Sequence, residues 1–373
     1  MASTRNGVLA IIAASLVASA GVLAFVKPPE KAVAAEAGLP LDAPLPTVVP
    51  PGAKLVIGDP LTQRVLEHTG WIKDLPFKVE WAQISGGPAV TEAFHAKVLD
   101  VGSVANIPPI HATWVGIPVK AIGLRFRRDP LAHPTFVLAT APKSGIRSPA
   151  DLRGKRIAFS AGQAQGEIVL RTLEQQGIPV SAVKLVELPS TSGDLYINAL
   201  VGGMIDAAPI SAGAPAKRYL EQYGAEGGRV MSHGKFRDDL GIIYVRTETL
   251  HDPAKAAALR EYVKIWGRAN EWIATHPKEW AKIYYEQHQG LSPDDAAYVV
   301  RTTGEPDIPA EWTDAVTLQQ ASIDLMAKQS GRKPFDAAIL FDRRFEHIAA
   351  EAVAQYRAGL APHLAQASKD PTP

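Results

Sequence analysis

The chain has 373 residues, of which 46% are hydrophobic and 21% are charged, a composition typical of a soluble globular protein large enough for two lobes with separate cores. Its 39 basic and 38 acidic side chains leave a formal net charge of +1, which argues against a nucleic-acid surface and against a polybasic membrane patch. The absence of cysteine excludes disulfides, thiolate metal sites, thiol nucleophiles and a lipid-modified cysteine.

The N-terminal residues have the pattern of an export signal. Arg5 precedes residues 7–26, which carry no charge, and a proline pair and several small residues follow. This order predicts a secretory signal peptide over residues 1–37, cleaved after Ala34 or Ala37. An apolar run of about 20 residues is also long enough to span a bilayer, so an uncleaved N-terminal membrane anchor is the alternative. Both interpretations place the folded part outside the cytoplasm.

Short β-branched segments then alternate with helical ones. Residues 38–52 are rich in proline and predict an extended linker. The predicted strands that follow are residues 54–58, 77–83, 99–101 and 119–124. A helix is predicted to begin within residues 64–71, and two further helices are predicted at residues 90–97 and 109–115. This alternation is typical of parallel α/β units, so the predicted fold class is α/β.

The α/β pattern restarts near residue 140. Strands are predicted at residues 155–159, 183–188 and 204–208, and helices at 167–176 and 192–201. Strands at 136–141 and 241–245 are predicted to cross between two lobes, after which the chain is mainly helical. The predicted ranges are 53–139 plus 241–350 for lobe 1, 140–240 for lobe 2, and 351–373 for a C-terminal helix and tail. Two crossings form a hinge on which the lobes can close around a ligand.

Two polar turns are predicted to face one crevice at the carboxyl ends of parallel strands. One turn contains Ser85, Gly86 and Gly87, and the other contains Gly102, Ser103, Val104 and Asn106. Each turn is expected to open a helix, whose free N–H groups and positive dipole end favour an anion. Glycine lets the backbone approach a ligand closely. Simple helix capping is the alternative role of the two serines.

Other side chains are candidates to add donors to this crevice. They are Thr62 and Gln63 in the loop after the first strand, and Gln163, Gln165 and Ser211 from the second lobe. Arg125 follows the strand at residues 119–124, and an arginine in the cleft would bind an oxyanion through two parallel hydrogen bonds. An exposed surface position is the alternative for Arg125. Glu167 is expected to face water in the first turn of its helix.

The sequence lacks the motifs of common enzyme sites. It contains no Gly-Lys-Ser/Thr phosphate loop, no G-x-G-x-x-G, no H-E-x-x-H and no G-x-S-x-G elbow. Aromatic residues recur through the C-terminal helical region at Trp266, Trp272, Trp280, Tyr284 and Tyr285. Their spacing predicts a buried helical face, and contact of one of them with a ligand's apolar tail is the alternative.

The chain resembles the substrate-binding components of ABC importers, within the nitrate, sulfonate and taurine group, and is most similar to the aliphatic-sulfonate-binding proteins. In the first lobe the resemblance is carried by Gly86-Gly87-Pro88, Glu92-Ala93-Phe94, Leu99-Asp100-Val101-Gly102-Ser103, Asn106-Ile107-Pro108-Pro109-Ile110 and Gly116-Ile117-Pro118. In the second lobe it is carried by Asp151-Leu152-Arg153-Gly154-Lys155-Arg156-Ile157-Ala158 and Gly202-Gly203-Met204-Ile205-Asp206-Ala207. It covers about residues 54–345.

The resemblance implies a two-lobe clamp of the type II periplasmic-binding-protein kind, with two crossover strands at the hinge. Such a protein is a periplasmic monomer that captures a small anion, here an aliphatic sulfonate or a taurine-like compound. It then delivers the anion to a membrane permease and its ATPase. No catalysis, cofactor or metal is implied. The alternatives are a membrane-tethered ligand sensor on the same clamp and a pyrimidine-related binder or enzyme. The aromatic sulfinate desulfinase, a relative on this scaffold, relies on a cysteine nucleophile, which this chain lacks.

Overall fold

The computed structural model describes residues 38–84, 86–189 and 193–367. The predicted signal peptide, the alternative anchor at residues 7–26, and Ser85 lie outside these ranges. The residues in these three ranges belong to one compact unit. Within the described ranges, no helix combines the length and the apolar character needed to cross a membrane.

The strands form two mixed sheets. In chain order they are β1 (Lys54–Gly58), β2 (Lys78–Trp81), β3 (Val101–Ala105), β4 (Val119–Arg127), β5 (Phe136–Thr140), β6 (Arg156–Phe159), β7 (Lys184–Glu187), β8 (Ala207–Ser211), β9 (Arg229–Met231), β10 (Gly241–Arg246) and β11 (Pro306–Asp307). The first sheet has the order β11-β4-β10-β3-β1-β2, and the second has the order β7-β6-β8-β5-β9. Each sheet with the helices that cover it is called a lobe below.

Helices cover both sheets, as the alternating pattern predicts. They are α1 (Pro60–Thr69), α2 (Gly87–His95), α3 (Ile107–Trp114), α4 (Ala164–Gln175), α5 (Gly193–Val201), α6 (Ala214–Tyr223), α7 (Thr247–Leu250), α8 (Pro253–Thr275), α9 (Pro277–Trp280), α10 (Pro293–Thr303), α11 (Thr313–Ser330) and α12 (Ile348–Ala367). The α/β class is confirmed. The structure also agrees with the prediction that the chain is mainly helical after β10.

Strand directions determine where the functional edge of the first sheet lies. β1 pairs in parallel with both β2 and β3, whereas β10 is antiparallel to β3 and to β4. β1, β3 and β4 therefore run in the same direction and end at one edge, where β10 begins. Buried apolar residues along these strands hold the sheet against α8, whose Tyr262 and Trp266 are both buried.

The chain crosses between the sheets twice, as predicted. The strands predicted at 136–141 and 241–245 each lie wholly in one sheet, as β5 in the second and β10 in the first. The crossings themselves are the segments that precede these strands, residues 128–135 and 232–240. The first of these contains two prolines, which cannot donate to a β ladder and so favour an irregular connection. These two crossing segments form the hinge region.

The proline-rich residues 38–52 are docked on the first lobe. The backbone nitrogen of Leu39 donates to the carbonyl oxygen of His251 at 2.7 Å. Nη1 of Arg344 donates to the carbonyl oxygen of Ala43 at 2.9 Å. Three apolar side chains of the segment also pack against the main core, namely Leu41, Leu45 and Val49. The segment predicted as a linker is thus partly anchored by hydrogen bonds and apolar contacts.

Candidate functional site

A cavity of about 400 Å³ lies at the edge of the first sheet where its parallel strands end. The strand termini bring Asp59, Ser103, Arg125 and Gly241 to one side of this cavity. The remaining walls come from the two crossing segments and from helices α8, α9 and α10. The carboxyl ends of strands in open α/β sheets are the usual ligand positions. We call this space the Arg125 cavity.

Arg125 supplies an unpaired positive charge to the cavity. Its Nη1 donates a 3.0 Å hydrogen bond to Oδ1 of Asn270, which is held in turn by a 2.9 Å hydrogen bond from its Nδ2 to the carbonyl oxygen of Trp266. Among the described residues, no carboxylate lies within 4.0 Å of the Arg125 guanidinium. Burial lowers the pKa of Arg125, and the nearby negative charge of Asp59 raises it. Because a guanidinium remains protonated in proteins, the cavity offers a charged group with donors available for an anion.

Asp59, on the same wall, is committed to donors from the protein. Its carboxylate accepts hydrogen bonds from the backbone nitrogen and the hydroxyl of Thr62 at 3.3 and 2.8 Å, and from the hydroxyl of Tyr262 at 2.9 Å. Asp59 caps α1 and Pro60 begins it, an arrangement that favours helix initiation. Three donors and the helix dipole therefore stabilise this carboxylate, in addition to its longer-range attraction to Arg125.

Arg127 and Asp239 tie the crossing segments to the first sheet, and Asp238 ties the two crossing segments to each other and to β5. Nη1 of Arg127 donates to the carbonyl oxygens of His133 and Pro134 at 2.6 and 2.9 Å. The backbone nitrogen of Arg127 donates to Asp239 at 2.6 Å. Asp238 accepts two backbone hydrogen bonds at the start of β5, at 2.9 and 2.7 Å. The charged groups beside Arg125 are thus engaged in holding the hinge.

Aromatic residues form part of the lining of the same cavity. Trp280 ends α9, and Tyr284 and Tyr285 lie in the π-helical turn Ala281–Glu286 that follows. The rings of Trp280 and Tyr284 are stacked, with centroids 4.4 Å apart and planes 10° apart. Burial raises the pKa of Tyr284 to about 12, so its phenol is neutral at physiological pH. The cavity therefore combines the Arg125 guanidinium with an aromatic wall.

Of the candidates predicted in the first lobe, Ser103 and Val104 line the Arg125 cavity, as does Arg125 itself. Ser103 and Val104 lie in β3 and not in a helix-opening turn, because β3 continues to Ala105. Gly102 lies under α2, where an added Cβ would stand 2.3 Å from Cγ1 of Val90. Gly102 is therefore a packing position in the sheet.

Thr62 and Gln63 lie in α1 and not in the preceding loop, because Asp59 and Pro60 start the helix earlier than predicted. The Thr62 hydroxyl is bonded to Asp59, and Nε2 of Gln63 donates to Glu67 at 2.7 Å. Thr62 borders a small extension of the cavity, with room for about one water molecule. Its remaining role there is to orient Asp59.

The crevice predicted between the two polar turns is filled by contacts between the lobes. An added Cβ on Gly87 would stand 2.3 Å from Pro108 and 3.3 Å from Nε2 of Gln163. Gly87 therefore touches both a neighbouring helix start of its own lobe and the second lobe. Gly86 adopts a positive φ of 85° as the cap of α2. Gln165 lies in the first turn of α4.

Asn106 and Glu167 join the lobes through a buried hydrogen-bond network. Nδ2 of Asn106 donates to one carboxylate oxygen of Glu167 at 2.6 Å. The other oxygen accepts from the Ser322 hydroxyl at 2.5 Å and from Nε of Arg171 at 2.7 Å. Gln319 donates to the carbonyl oxygen of Asn106 at 2.6 Å. The expectation that Glu167 faces water is wrong: it is buried, because the hydrogen bonds from Arg171, Asn106 and Ser322 compensate for its loss of hydration.

Gly166 allows α4 to approach the preceding loop closely enough to present Glu167 to the first lobe. An added Cβ would stand 2.2 Å from the carbonyl oxygen of Ser160. We expect Gly166→Ala to lower the free energy of unfolding by about 1–3 kcal/mol, since a backbone atom must shift. Urea unfolding checks this. Gly359→Ala is the matched control, because Gly359 is exposed in α12 with no atom within 4 Å of its Cβ position; equal effects of the two changes would contradict the prediction.

Several cavity residues were not predicted from the sequence as a site. Asn270, Asp238 and Asp239 were not predicted as site residues, because they reach the cavity only through contacts between residues that are far apart in the sequence. Asn270 did carry a signal, since it is an amide on the buried face of α8 beside Trp266. The aromatic wall was predicted as core, with ligand contact as the alternative, and all three of its residues border the cavity.

Comparisons with known proteins agree with this architecture. A sequence model described as NMT1/THI5 like matches residues 65–280. A protein of Escherichia coli (strain K12), provisionally named an aliphatic sulfonates-binding protein, is 31% identical over 107 residues. That match covers 29% of this chain and 32% of the relative, so the chain matches about a third of the relative's length.

Solved structures show the same fold. The periplasmic aliphatic sulphonate binding protein SsuA from Escherichia coli is 21% identical with a TM-score of 0.64, over 78% of this chain and 92% of that one. The alkanesulfonate-binding protein SsuA from Xanthomonas axonopodis pv. citri, bound to MOPS, is 21% identical with a TM-score of 0.62, over 82% and 98%. The desulfurization enzyme DSZB is 14% identical with a TM-score of 0.55, over 81% and 99%.

These likenesses confirm the predicted fold, that of the periplasmic binding proteins. They include binding proteins and an enzyme, so the fold alone does not assign an activity. The family match extends from α1 to α9 and spans more than half of the chain. It takes in most of the strands of both sheets and both crossing segments. The protein described here belongs to the NMT1/THI5-like family.

Proposed function

We propose that this protein is the solute-binding component of an ABC importer and that it binds a small organic anion in the Arg125 cavity. The observation that carries the proposal is the Arg125 guanidinium, which lines a cavity without a carboxylate partner among the described residues. A buried charge is unfavourable without a counter-charge, so an anionic solute supplies the missing partner. A sulfonate, aliphatic or taurine-like, is the anion that we propose.

The chemistry of a sulfonate matches the cavity. A sulfonate oxygen pair can accept two parallel hydrogen bonds from a guanidinium. The carboxylates of Asp59 and Asp238 are already bonded to protein donors, which limits their repulsion of an anion. The aromatic wall provides an apolar surface for the organic part of the molecule. Ligand sites of this kind are mostly apolar with a few polar groups that fix orientation.

The proposed cellular role follows from the relatives and from the N-terminal sequence. Three of the proteins named above are described as sulfonate-binding, and one of these is described as periplasmic. A signal peptide at residues 1–37 would export this protein to the same side of the membrane. There, as a monomer, it would deliver its solute to a permease driven by an ATPase. We propose a binding role without catalysis.

Calorimetric titration of the purified protein tests this proposal. The panel contains taurine, short and long alkanesulfonates, an arylsulfonate, nitrate, sulfate and a pyrimidine. We expect saturable one-to-one binding of at least one sulfonate, which is recovered unchanged after incubation. Binding of the pyrimidine alone would refute the sulfonate proposal, and conversion of a sulfonate would refute the absence of catalysis.

A further inference from the structure

A second cavity adjoins the Arg125 cavity and is lined by residues of both lobes. Its volume is about 320 Å³. Four residues line both spaces, namely Arg127, Thr135, Tyr285 and Thr303. The two cavities are therefore neighbouring chambers that share one wall of side chains. We call the second space the tail chamber.

The tail chamber brings the two lobes together around one space. Ser211 and the residues up to Pro215 belong to the second lobe, whereas Val299 lies on α10 of the first. An added Cβ on Gly213 would stand 3.5 Å from Val299. Nζ of Lys217 donates to Asp295 at 2.6 Å and so ties α6 to α10 beside the chamber. The opposing walls are thus held in contact.

The lining of the tail chamber is nearly free of charge. Arg127 is its charged side chain, and Nη1 of that arginine is already bonded to two carbonyl oxygens of the crossing segment. The hydroxyls of Thr302 and Thr303 donate to carbonyl oxygens of their own helix. Much of the remaining surface is apolar or small, as at Val299 and Leu291. Such a surface favours an uncharged, largely apolar chain.

From these contacts we infer that the natural ligand is an elongated anion, whose charged head binds Arg125 and whose uncharged chain passes Tyr285 into the tail chamber. This inference rests on the proposed function and adds the shape and size of the solute. The head contacts the first lobe and the hinge, whereas the chain reaches the second lobe. Chain length, and not the head alone, then determines affinity.

A homologous series of linear alkanesulfonates tests the inference. Calorimetric titration with chains from two to ten carbons is expected to show affinity rising roughly fourfold for each methylene that becomes buried. Ser211→Trp is expected to weaken decanesulfonate binding at least tenfold while leaving ethanesulfonate unaffected, because Ser211 lines the tail chamber only. Ser181→Trp is the matched control, since Ser181 is exposed in the same lobe and lines neither chamber.

The possible outcomes distinguish the two proposals. Rising affinity along the series in the unaltered protein, lost in Ser211→Trp, supports the tail chamber. Sulfonate binding that is independent of chain length overturns the tail chamber and leaves the proposed function intact. Tighter binding of an alkanedisulfonate than of the monosulfonate of equal length overturns the uncharged chain. Failure of every sulfonate to bind overturns the proposed function, and the inference with it.

Discussion

Replacing Arg125 by leucine is expected to raise the dissociation constant of a bound sulfonate by roughly 30-fold to several thousand-fold. Removing one partner of a buried, hydrogen-bonded charge pair costs about 2–5 kcal/mol, and about 1.4 kcal/mol corresponds to a factor of ten. Arg125 fits this case because it lines the cavity and has no carboxylate within 4.0 Å among the described residues. Calorimetric titration with the best sulfonate of the panel measures the effect.

Two further variants identify the cause of that loss. Arg125→Lys keeps the charge but loses the planar pair of donors, so we expect an intermediate dissociation constant. Arg128→Leu is the matched control, since Arg128 is exposed and pairs with Glu305 at 3.3 Å, and its affinity should be unchanged. Because Arg125→Leu also leaves buried Oδ1 of Asn270 without its donor, the melting temperature of each variant is measured alongside its affinity to show that the protein remains folded. Unaltered affinity in Arg125→Leu would exclude this cavity as the anion site.

Replacing Glu167 by alanine is expected to lower the free energy of unfolding by about 3–5 kcal/mol, the usual cost of breaking a buried ion pair. The change leaves Arg171, Asn106 and Ser322 without the carboxylate oxygens that now accept from them. Urea unfolding of the ligand-free protein measures the loss. The effect is large because Glu167 accepts hydrogen bonds both from Arg171 of its own helix and from Asn106 and Ser322 of the first lobe.

The same substitution elsewhere on α4 provides the comparison. Glu174 is exposed on that helix, and Glu174→Ala should change stability by no more than about 0.5 kcal/mol. Glu167→Gln keeps the side-chain size and one acceptor oxygen, so its loss should fall between those of the two alanine variants. If Glu167→Ala unfolds at the same urea concentration as Glu174→Ala, the network does not stabilise the fold.

Local patterns predicted the elements of the fold because strands and helices depend on nearby residues. The run Lys54–Gly58 is a strand as predicted. Leu55 and Ile57, on one face of the strand, are fully buried, whereas Lys54 is exposed. The helix that follows was predicted to begin at residue 64 but begins at Pro60. Aspartate followed by proline is as common in a loop as at the start of a helix. The strand β3 was predicted to end at Val101 but continues to Ala105, because Gly102 and Ser103 are residue types that are more common in turns than in strands.

The site was harder to predict because it depends on which surfaces meet. The two helix starts at Gly87 and Asn106 do face the second lobe, but the distance between the lobes decides whether a ligand or a side chain fills the gap. Here Gln163 and Glu167 fill it. Arg125 lines the cavity, and strand alternation placed its side chain on the same face as that of Arg127. Asn270 is 145 residues away from Arg125, a pairing that no local pattern indicates.

Arg125 and Arg127 are two residues apart on one strand, and Arg127 is bonded to both crossing segments through His133, Pro134 and Asp239. The solute is thus expected to bind beside the pivot of the clamp and not between the tips of its lobes. In a rigid-body rotation about a hinge, the displacement of an atom grows with its distance from the hinge axis. A small displacement of β4 on binding would therefore become a larger rotation at the outer surfaces of the lobes, where a membrane partner could distinguish loaded from empty protein.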